Sequence, residues 1–232
     1  MLILTFDLGT TWLKTALFSY SSQQTHPELF LLANLSTNVS YQRQEGILLE
    51  IDPFDFWATT LDAIGQVCGK ASVVPGDIDR ISITSQAQTF CLLDQAKNPI
   101  TPFISWADRR ASDQAQRLSV VLGHNHHQHC SFPKPVAEIA SSKHLWLTEN
   151  EKAIHNAASW SMPLPSWLGM KLGALPFTDR NLAAMSGLYS LKLRSWWPDS
   201  LAACGFQSVQ FPRLVNPGVP VSIHNPQPVT KL

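Results

Sequence analysis

Residues 2–18 have the sequence LILTFDLGTTWLKTALF, which decides how the chain begins to fold. Leu2, Leu4 and Phe6 alternate with Ile3 and Thr5, and this period of two is typical of a β-strand. The run breaks at Asp7–Thr11, where Asp, Gly and Thr favour a turn, and apolar residues return from Leu13 to Phe18. We therefore predict a β-hairpin over residues 2–18, with its turn at Asp7–Thr11.

A helix is predicted further along, because its first residues carry an N-terminal signature. Asp52 can cap the helix, Pro53 suits its first position, and Asp55 favours the positive end of the helix dipole. Apolar residues then follow at spacings of four, three and four, and are expected to face the core: Trp57, Leu61, Ile64 and Cys68.

Further strands and helices alternate along the chain after a polar turn at residues 21–28. The predicted strands span Phe30–Leu35, Ile78–Thr84 and Phe90–Leu93, and the predicted helices span Ala111–Leu122, Ser142–Ala158 and Pro165–Leu172. This alternation indicates an α/β fold, in which a mixed sheet is flanked by helices. No internal repeat or long linker divides the chain.

The chain has few charged residues, and their signs balance. Lys and Arg total 17, as do Asp and Glu, which argues against a nucleic-acid-binding protein because phosphate backbones attract an excess of positive charge. Charged residues make up only 15% of the chain, against roughly 25% in typical soluble domains. We therefore expect some apolar surface to meet another domain or subunit, with a homodimer as one such assembly. Eight Trp and eleven Phe supply enough core volume to exclude a disordered chain.

The sequence also predicts the cellular compartment. No apolar run approaches the roughly 18 residues that a membrane span needs. The first residues lack the basic region and cleavage site of a signal peptide. The cysteines show no paired spacing, which is typical of reduced thiols: Cys68, Cys91, Cys130 and Cys204. We therefore expect a cytoplasmic protein that does not bind membranes.

The hairpin turn is the first candidate site, for phosphate and Mg²⁺. Gly9 permits backbone N–H groups to approach phosphate oxygens, and the hydroxyls of Thr10 and Thr11 can contact them. Asp7 can hold Mg²⁺ through water, and Lys14 adds positive charge. The spacing is not that of a P-loop. An ordinary hairpin turn is the alternative interpretation, since Asp and Gly are common in turns.

A second candidate site, for a sugar, combines two strand ends. Trp106, Asp108 and Arg110 lie between a predicted strand and a predicted helix, where α/β folds place ligand-binding groups. An indole face packs on the C–H face of a sugar, and Asp and Arg can bond its hydroxyls. Gln86 and Gln88 end another strand and could offer amides to the same ligand. The alternatives are a buried Trp before a charged helix start, and an exposed polar turn.

A third candidate is the histidine cluster from His124 to His129, which Cys130 follows. These residues could bind zinc, but they lack the spacing of structural zinc sites. A solvated loop is the alternative interpretation.

Together these segments resemble the N-terminal domain of the FGGY carbohydrate kinases. The similar segments follow in family order over about residues 1 to 220: Phe6–Thr11 with Lys14; Ile81–Ala111, with Trp106, Asp108 and Arg110 on the Trp-x-Asp-x-Arg-Ala positions; Lys143–Glu151; Thr178–Ala183; Gly187–Tyr189; Trp196–Gly205; and Phe211–Val215. The three stretches between Thr178 and Gly205 form one motif of the family, and the five motifs in order are far more specific than any one alone.

The resemblance implies an actin-like fold, in which two ribonuclease-H-type domains close on each other. The family's first domain binds the sugar and its second binds most of ATP. Residues 1–232 would then form the sugar-binding domain, incomplete at its C-terminal end, without the second domain. The family's catalytic base, an Asp in a Gly-Gly-x-Asp-like segment, has no match in the chain. Xylulokinases usually carry Gln-Met-His where this chain has Gln86-Ala87-Gln88, so the resemblance does not single out one sugar.

The expected function is ATP- and Mg²⁺-dependent phosphorylation of a sugar or polyol hydroxyl, with a complementary half as partner. Alone, the chain is expected to bind sugar weakly and ATP hardly at all, without detectable turnover. A non-catalytic sugar-binding or regulatory remnant is the alternative. We also expect Asp108→Ala to weaken sugar affinity roughly ten- to hundredfold without unfolding the domain.

Overall fold

The structure, a computed structural model, describes residues 1–22, 27–44, 48–123 and 126–225. The strands are β1 (Leu2–Leu8), β2 (Trp12–Ser21), β3 (Glu28–Asn38), β4 (Gln42–Gln44), β5 (Leu48–Ile51), β6 (Arg80–Ser85), β7 (Phe90–Leu93), β8 (Phe103–Ile104), β9 (Trp160–Pro163), β10 (Phe177–Asp179), β11 (Tyr189–Ser190), β12 (Ser195–Trp196) and β13 (Arg213–Val215). The helices are α1 (Pro53–Ala71), α2 (Ser112–Leu122), α3 (His126–His129), α4 (Ala140–Asn150), α5 (Lys152–Ala157), α6 (Leu164–Lys171), α7 (Arg180–Ala184) and α8 (Pro198–Ala203), and Pro75–Asp77 forms a 3-10 turn.

The predicted hairpin is confirmed and forms the centre of a four-stranded sheet. β1 and β2 pair antiparallel from Leu2 opposite Ser19 to Leu8 opposite Leu13. The order of the sheet is β3-β2-β1-β6, and β6 runs parallel to β1. β1 extends through Leu8, so Asp7 is a strand residue and the turn is shorter than predicted. Because β1 and β6 run parallel, the turn that follows β1 and the last residues of β6 lie at the same end of the sheet.

Helix α1 begins as predicted but buries a somewhat different face. The Asp52 side chain caps the helix by accepting hydrogen bonds from the backbone N–H groups of Phe54 and Asp55. Its buried side chains are Pro53, Phe56, Thr60, Ala63, Ile64, Val67 and Cys68. Trp57 and Leu61 are only partly buried. The predicted stripe is therefore offset, because α1 packs across β2 and β3 and its Phe56 edge meets Phe103 and Trp167.

A second sheet carries the loop with the Trp-x-Asp-x-Arg sequence. Its order is β4-β5-β8-β7-β9, and β7 has the predicted bounds. β5 pairs antiparallel with β8, with Glu50 opposite Ile104. This pairing places β5 beside the residues that follow β8.

The helices after this loop agree with the sequence except at one break. α2 and α6 start and end within about one residue of their predicted bounds. The single helix predicted over Ser142–Ala158 is two helices, α4 and α5, because Glu151 leaves helical geometry at φ −124° and ψ 54°. Its carbonyl nevertheless accepts from the N–H of His155, which starts α5 directly.

The buried apolar residues form two main clusters. One joins the first sheet to α1 and α6, and the other joins β7 to α2, α4 and α8. The four cysteines are free thiols, and each is buried. Within the described ranges, no helix is long and apolar enough to cross a membrane.

Candidate functional site

The hairpin turn places Asp7 and Lys14 side by side on neighbouring strands. They are cross-strand partners, and Lys14 Nζ lies 3.3 Å from Asp7 Oδ2. The side chain of Asp7 is 45% exposed and that of Lys14 is 61% exposed, so both can reach a ligand outside the turn. The N–H of Gly9 donates to the Trp12 carbonyl at 3.0 Å and so closes the turn. A Cβ at Gly9 would lie 2.9 Å from that oxygen, so the tight turn itself requires glycine.

A closed ring of hydrogen bonds joins this turn to two of the predicted sugar-binding residues. The indole Nε1 of Trp106 donates to Thr10 Oγ1 at 2.9 Å. The backbone N–H of Trp106 donates to Thr89 Oγ1 at 3.0 Å, and that hydroxyl donates to Gln86 Oε1 at 3.1 Å. Gln86 Nε2 completes the ring by donating to the Gly9 carbonyl at 3.2 Å. Trp106 and Gln86 therefore lie at the turn, in a fixed orientation.

The ring borders an open cleft beside the turn. Its cavity of about 420 Å³ is lined by Thr10, Thr11, Asn38, Val39, Ser40, Tyr41 and Leu49. Gln86 Nε2 lies 3.5 Å from the Tyr41 hydroxyl, which links the ring to the opposite wall. Trp106 is 40% exposed, so part of its indole remains accessible.

Gln88 faces a different neighbour from Gln86. Its Oε1 accepts the backbone N–H of Ala140, at the start of α4, at 2.9 Å. Its backbone has φ +65°, a left-handed conformation that turns the chain sharply between β6 and β7. Gln86 and Gln88 both line a second, smaller cavity of about 30 Å³ between these segments.

Asp108 and Arg110 are turned into the protein. Asp108 is completely buried, and its Oδ2 accepts the backbone N–H of Leu49 at 2.8 Å and Arg110 NH2 at 2.8 Å. Its Oδ1 accepts the backbone N–H and the Nε of Arg110. Arg110 also pairs with Glu50 at 2.5 Å and stacks over Trp146. Burial opposes the charge of Arg110, but the hydrogen bonds to Asp108 and Glu50 raise its pKa above the usual value.

This burial corrects one expectation for Asp108. The sequence predicted that Asp108→Ala would weaken sugar binding without unfolding the domain. Because both carboxylate oxygens bond buried or partly buried protein groups, truncation would leave Arg110 and the Leu49 N–H without their acceptor. A loss of stability is now the expected effect.

Lys143 is a residue of the site that sequence reasoning did not assign. It is completely buried in α4, and its ammonium donates to the carbonyls of Ser105, Trp106 and Glu138 at 2.7, 3.1 and 2.7 Å. Burial lowers its pKa to about 7, against the opposing charge of Asp108. The sequence does single out Lys143, as the first residue of the Lys-x-x-Trp segment. Only the structure shows that its ammonium holds the loop of Trp106.

The histidine cluster is divided by the folded chain. His124 lies outside the described residues. His126 is buried and lies 6.0 Å from the Trp197 ring, whereas His129 stacks on that ring at 4.4 Å and shares a hydrogen bond with Ser190. Among the residues that the structure describes, no three His, Cys, Asp or Glu side chains form a metal-binding group.

Comparisons with known proteins show the family to which the chain belongs. Residues 2–228 match the model for the N-terminal domain of the FGGY family of carbohydrate kinases. The glycerol kinase of Beutenbergia cavernae is 26% identical over 91% of this chain and 43% of its own length. The gluconokinase of Bacillus subtilis is 24% identical over 92% of this chain and 40% of its own length.

Solved structures share the fold. The ligand-bound xylulose kinase from Lactobacillus acidophilus superposes with a TM-score of 0.81 at 22% identity, over 95% of this chain and 44% of that one. The glycerol kinase of Plasmodium falciparum, solved with ADP, gives 0.78 at 21% identity, over 92% and 42%. The actin-like α/β fold is thereby confirmed, and the chain spans about two fifths of the length of these relatives. The chain belongs to the FGGY family of carbohydrate kinases and matches the family's N-terminal domain.

Proposed function

We propose that this chain forms the sugar-binding part of an ATP-dependent kinase that phosphorylates a hydroxyl of a sugar or polyol. The observation that carries the proposal is the hydrogen-bonded ring that joins the Asp7–Thr11 turn to Trp106 and Gln86 beside an open cleft. Phosphoryl transfer depends mainly on positioning and on neutralising charge. A ring that fixes a sugar-stacking indole against a turn bearing carboxylate and hydroxyl groups suits that task.

In this proposal the predicted sugar-binding residues divide into two roles. Trp106 stacks on the C–H face of the sugar, and Gln86 presents its amide beside the indole. Gln88 lines the smaller cavity and accepts the Ala140 N–H, so in this proposal it holds the start of α4. Asp108 and Arg110 act as positioning residues, because they bond one another and β5 rather than the cleft. Their contribution to sugar binding is to hold the loop that carries Trp106.

The turn fits a magnesium ion bound largely through water. Asp7 offers a half-exposed carboxylate and Thr10 and Thr11 offer hydroxyls, which are the hard oxygen groups that Mg²⁺ prefers. When bound, Mg²⁺ neutralises charge on the phosphates of ATP. Asp7 would hold the ion, Lys14 would add a positive charge beside the transferred phosphate, and the threonine hydroxyls would contact phosphate oxygens.

Turnover in this proposal requires a second half, which supplies the catalytic carboxylate and most of the ATP site. The chain covers 40–43% of the length of the glycerol kinase and the gluconokinase compared above. General-base catalysis contributes about 10²- to 10⁴-fold, and closure of a second domain adds orientation and excludes water. The chain alone should therefore bind sugar weakly and turn over undetectably.

The test combines binding with activity. Xylulose, gluconate and glycerol are titrated into the purified chain while tryptophan fluorescence is followed, with Trp106→Phe and, as a control on the distant helix α1, Trp57→Phe. One ligand should change the fluorescence of the wild type and of Trp57→Phe but not of Trp106→Phe. Phosphorylation is then measured with ATP and Mg²⁺, with and without a complementary half.

Each result has a defined meaning. Activity only with the complementary half supports the kinase proposal. Sugar binding without activity in its presence supports the alternative, a non-catalytic sugar-binding or regulatory remnant. Absence of binding to every sugar and polyol, or robust phosphorylation by the chain alone, would contradict the division of roles proposed here.

A further inference from the structure

The outer strand of the first sheet exposes an unusual apolar segment. β3 is the edge of the sheet order β3-β2-β1-β6, so one side of its backbone has no neighbouring strand within the described structure. Four consecutive side chains of β3 are large, apolar and exposed: Leu29 at 57%, Phe30 at 52%, Leu31 at 52% and Leu32 at 41%. We call these four residues the β3 patch. Because they are consecutive, they project from both faces of the strand.

The β3 patch lacks the devices that normally protect an edge strand. Proteins block such edges with charged residues, especially Lys, or with Pro, because an open edge can pair with another chain. Pro27 and Glu28 stand at the N-terminal end of β3, but the ten residues that follow them, LFLLANLSTN (29–38), contain no charged residue and no Pro. From α1, Lys70 Nζ reaches the Asn34 carbonyl at 3.4 Å, beyond the patch itself. The patch is therefore an open, uncharged strand edge.

We propose that two copies of this chain pair through β3, antiparallel and around a twofold axis near the β3 patch. Two four-stranded sheets then form one continuous eight-stranded sheet. A twofold interface joins the same surface of both copies, so a strand that meets itself must be self-complementary. The β3 patch meets this condition, because an apolar block faces an identical apolar block and no like charges are brought together.

The area is adequate for a reversible dimer. A fully exposed large apolar side chain presents roughly 150–250 Å², so four half-exposed ones offer about 350 Å² per copy. Two copies together expose about 700 Å² on these side chains. Because the side chains project from both faces of the sheet, edge-to-edge pairing buries only part of this area, and the interface stays below the roughly 1,000 Å² of a stable, specific one. This places the proposed dimer among weak, concentration-dependent assemblies.

The proposed interface leaves the candidate cleft open. Leu31 lies seven residues before Asn38, about 23 Å along an extended strand, and Asn38 lines the cleft beside the turn. Sugar binding and self-association should therefore be independent, and failure of one proposal would not decide the other.

The first experiment measures the mass of the full chain in solution over a range of concentrations. The variants are Leu31→Lys and a matched control, Val120→Lys, which changes an apolar side chain that is 83% exposed on α2. Wild type and Val120→Lys should dimerise alike, and Leu31→Lys should associate at least about a hundredfold more weakly. Circular dichroism confirms that each variant is folded.

The second experiment keeps the proposal testable if Leu31→Lys fails to fold. Single cysteines replace Leu29, Phe30, Leu31 and Leu32 in turn, and the chain is oxidised. Paired residues of antiparallel strands have Cα atoms about 4.5–5.5 Å apart, which suits a disulfide. The native cysteines are buried, so a cross-linked dimer would report the new cysteine.

One of the four cysteine positions, the one nearest the axis, should cross-link best, and Val120→Cys should not cross-link. A monomeric wild type would overturn the proposal. A dimer that Leu31→Lys leaves intact would do so too, as would the absence of a cross-link at all four positions.

Discussion

Two residues of the same short loop, Trp106 and Asp108, face opposite environments. Trp106 is 40% exposed and bonds to the turn at the cleft, whereas Asp108 is completely buried and bonds to β5 and Arg110. The comparison teaches that a motif spaced for ligand binding can contain both the group that meets the ligand and the groups that hold it in place. The exposed half consists of Asp7, Thr10, Lys14 and Trp106, and the buried half of Asp108, Arg110 and Lys143.

The two halves differ in what substitutions should change. The buried half keeps its charges in a low-dielectric interior, where removal of one partner leaves the other unpaired. The exposed half keeps its charges near water, where ion pairs contribute little to stability. Substitutions in the buried half should therefore act on folding, and those in the exposed half on ligands.

The largest effect is expected for Asp108→Ala. Loss of this carboxylate leaves the Arg110 guanidinium and the Leu49 N–H without their acceptor, which should lower the free energy of unfolding by about 3–5 kcal/mol. Urea unfolding measures the change, with Asp113→Asn on the exposed face of α2 as the control. A variant as stable as the wild type would end the distinction between the two halves.

Lys143→Met should have the next largest effect, and one that depends on pH. The variant removes the Lys143 donor from the carbonyls of Trp106 and Glu138 and from that of Ser105, which keeps the backbone N–H of Asp108. It should be about 2–3 kcal/mol less stable. The pKa of Lys143 is lowered to about 7 in the folded chain, from 10.5. Between these values the unfolded chain binds more protons, so this residue makes the wild type more stable as pH rises above 7.

The measurement is urea unfolding of wild type and variant from pH 6 to pH 9. The stability difference between them should grow above pH 7 by up to about 1.4 kcal/mol per pH unit. Lys152→Met, an exposed lysine on α5, is the control and should show no such trend. A constant difference across the range would mean that Lys143 stays charged throughout.

A smaller effect is expected within the exposed half, at the bond between Trp106 and Thr10. Trp106→Phe and Thr10→Val each remove the Nε1–Oγ1 hydrogen bond and should cost about 0.5–1.5 kcal/mol. The double variant should cost less than the sum, because the single variants remove the same bond. Additive losses would show that the side chains of Trp106 and Thr10 do not contribute to stability through a shared bond.

Local signals in the sequence were sufficient for the elements that flank the site. The hairpin was predictable from its alternation, and the start of α1 from Asp52 and Pro53, because each signal lies within a few residues of its effect. The orientation of Asp108 was not predictable in this way. Leu49, whose N–H it accepts, and Glu50, which pairs with the neighbouring Arg110, lie on β5 about sixty residues earlier in the chain, and no local pattern records that pairing.

The same limit explains two other differences. The buried face of α1 depends on Phe103 and Trp167, which lie in distant segments, so spacing alone selected a neighbouring face. Lys143 looked like an ordinary helix lysine, because its three carbonyl partners lie in the Ser105–Trp106 loop and at Glu138. The start of α1 and Lys143 were thus placed on the right elements, while their partners required the fold.

The smallest effect on stability is expected for the exposed pair of Asp7 and Lys14. Their side chains lie 3.3 Å apart but remain 45% and 61% exposed, so Asp7→Asn should change the free energy of unfolding by less than about 1 kcal/mol. If Asp7 holds Mg²⁺ as proposed, the same variant should nevertheless abolish most phosphorylation measured with a complementary half, while leaving the tryptophan-fluorescence response to sugar unchanged. Lys70→Met is a suitable control, since Lys70 is an exposed lysine that donates only to the Asn34 carbonyl at 3.4 Å. An Asp7→Asn variant with full activity would remove the turn from the phosphate site, whereas one that unfolds would place Asp7 with Asp108 in the group that supports the fold.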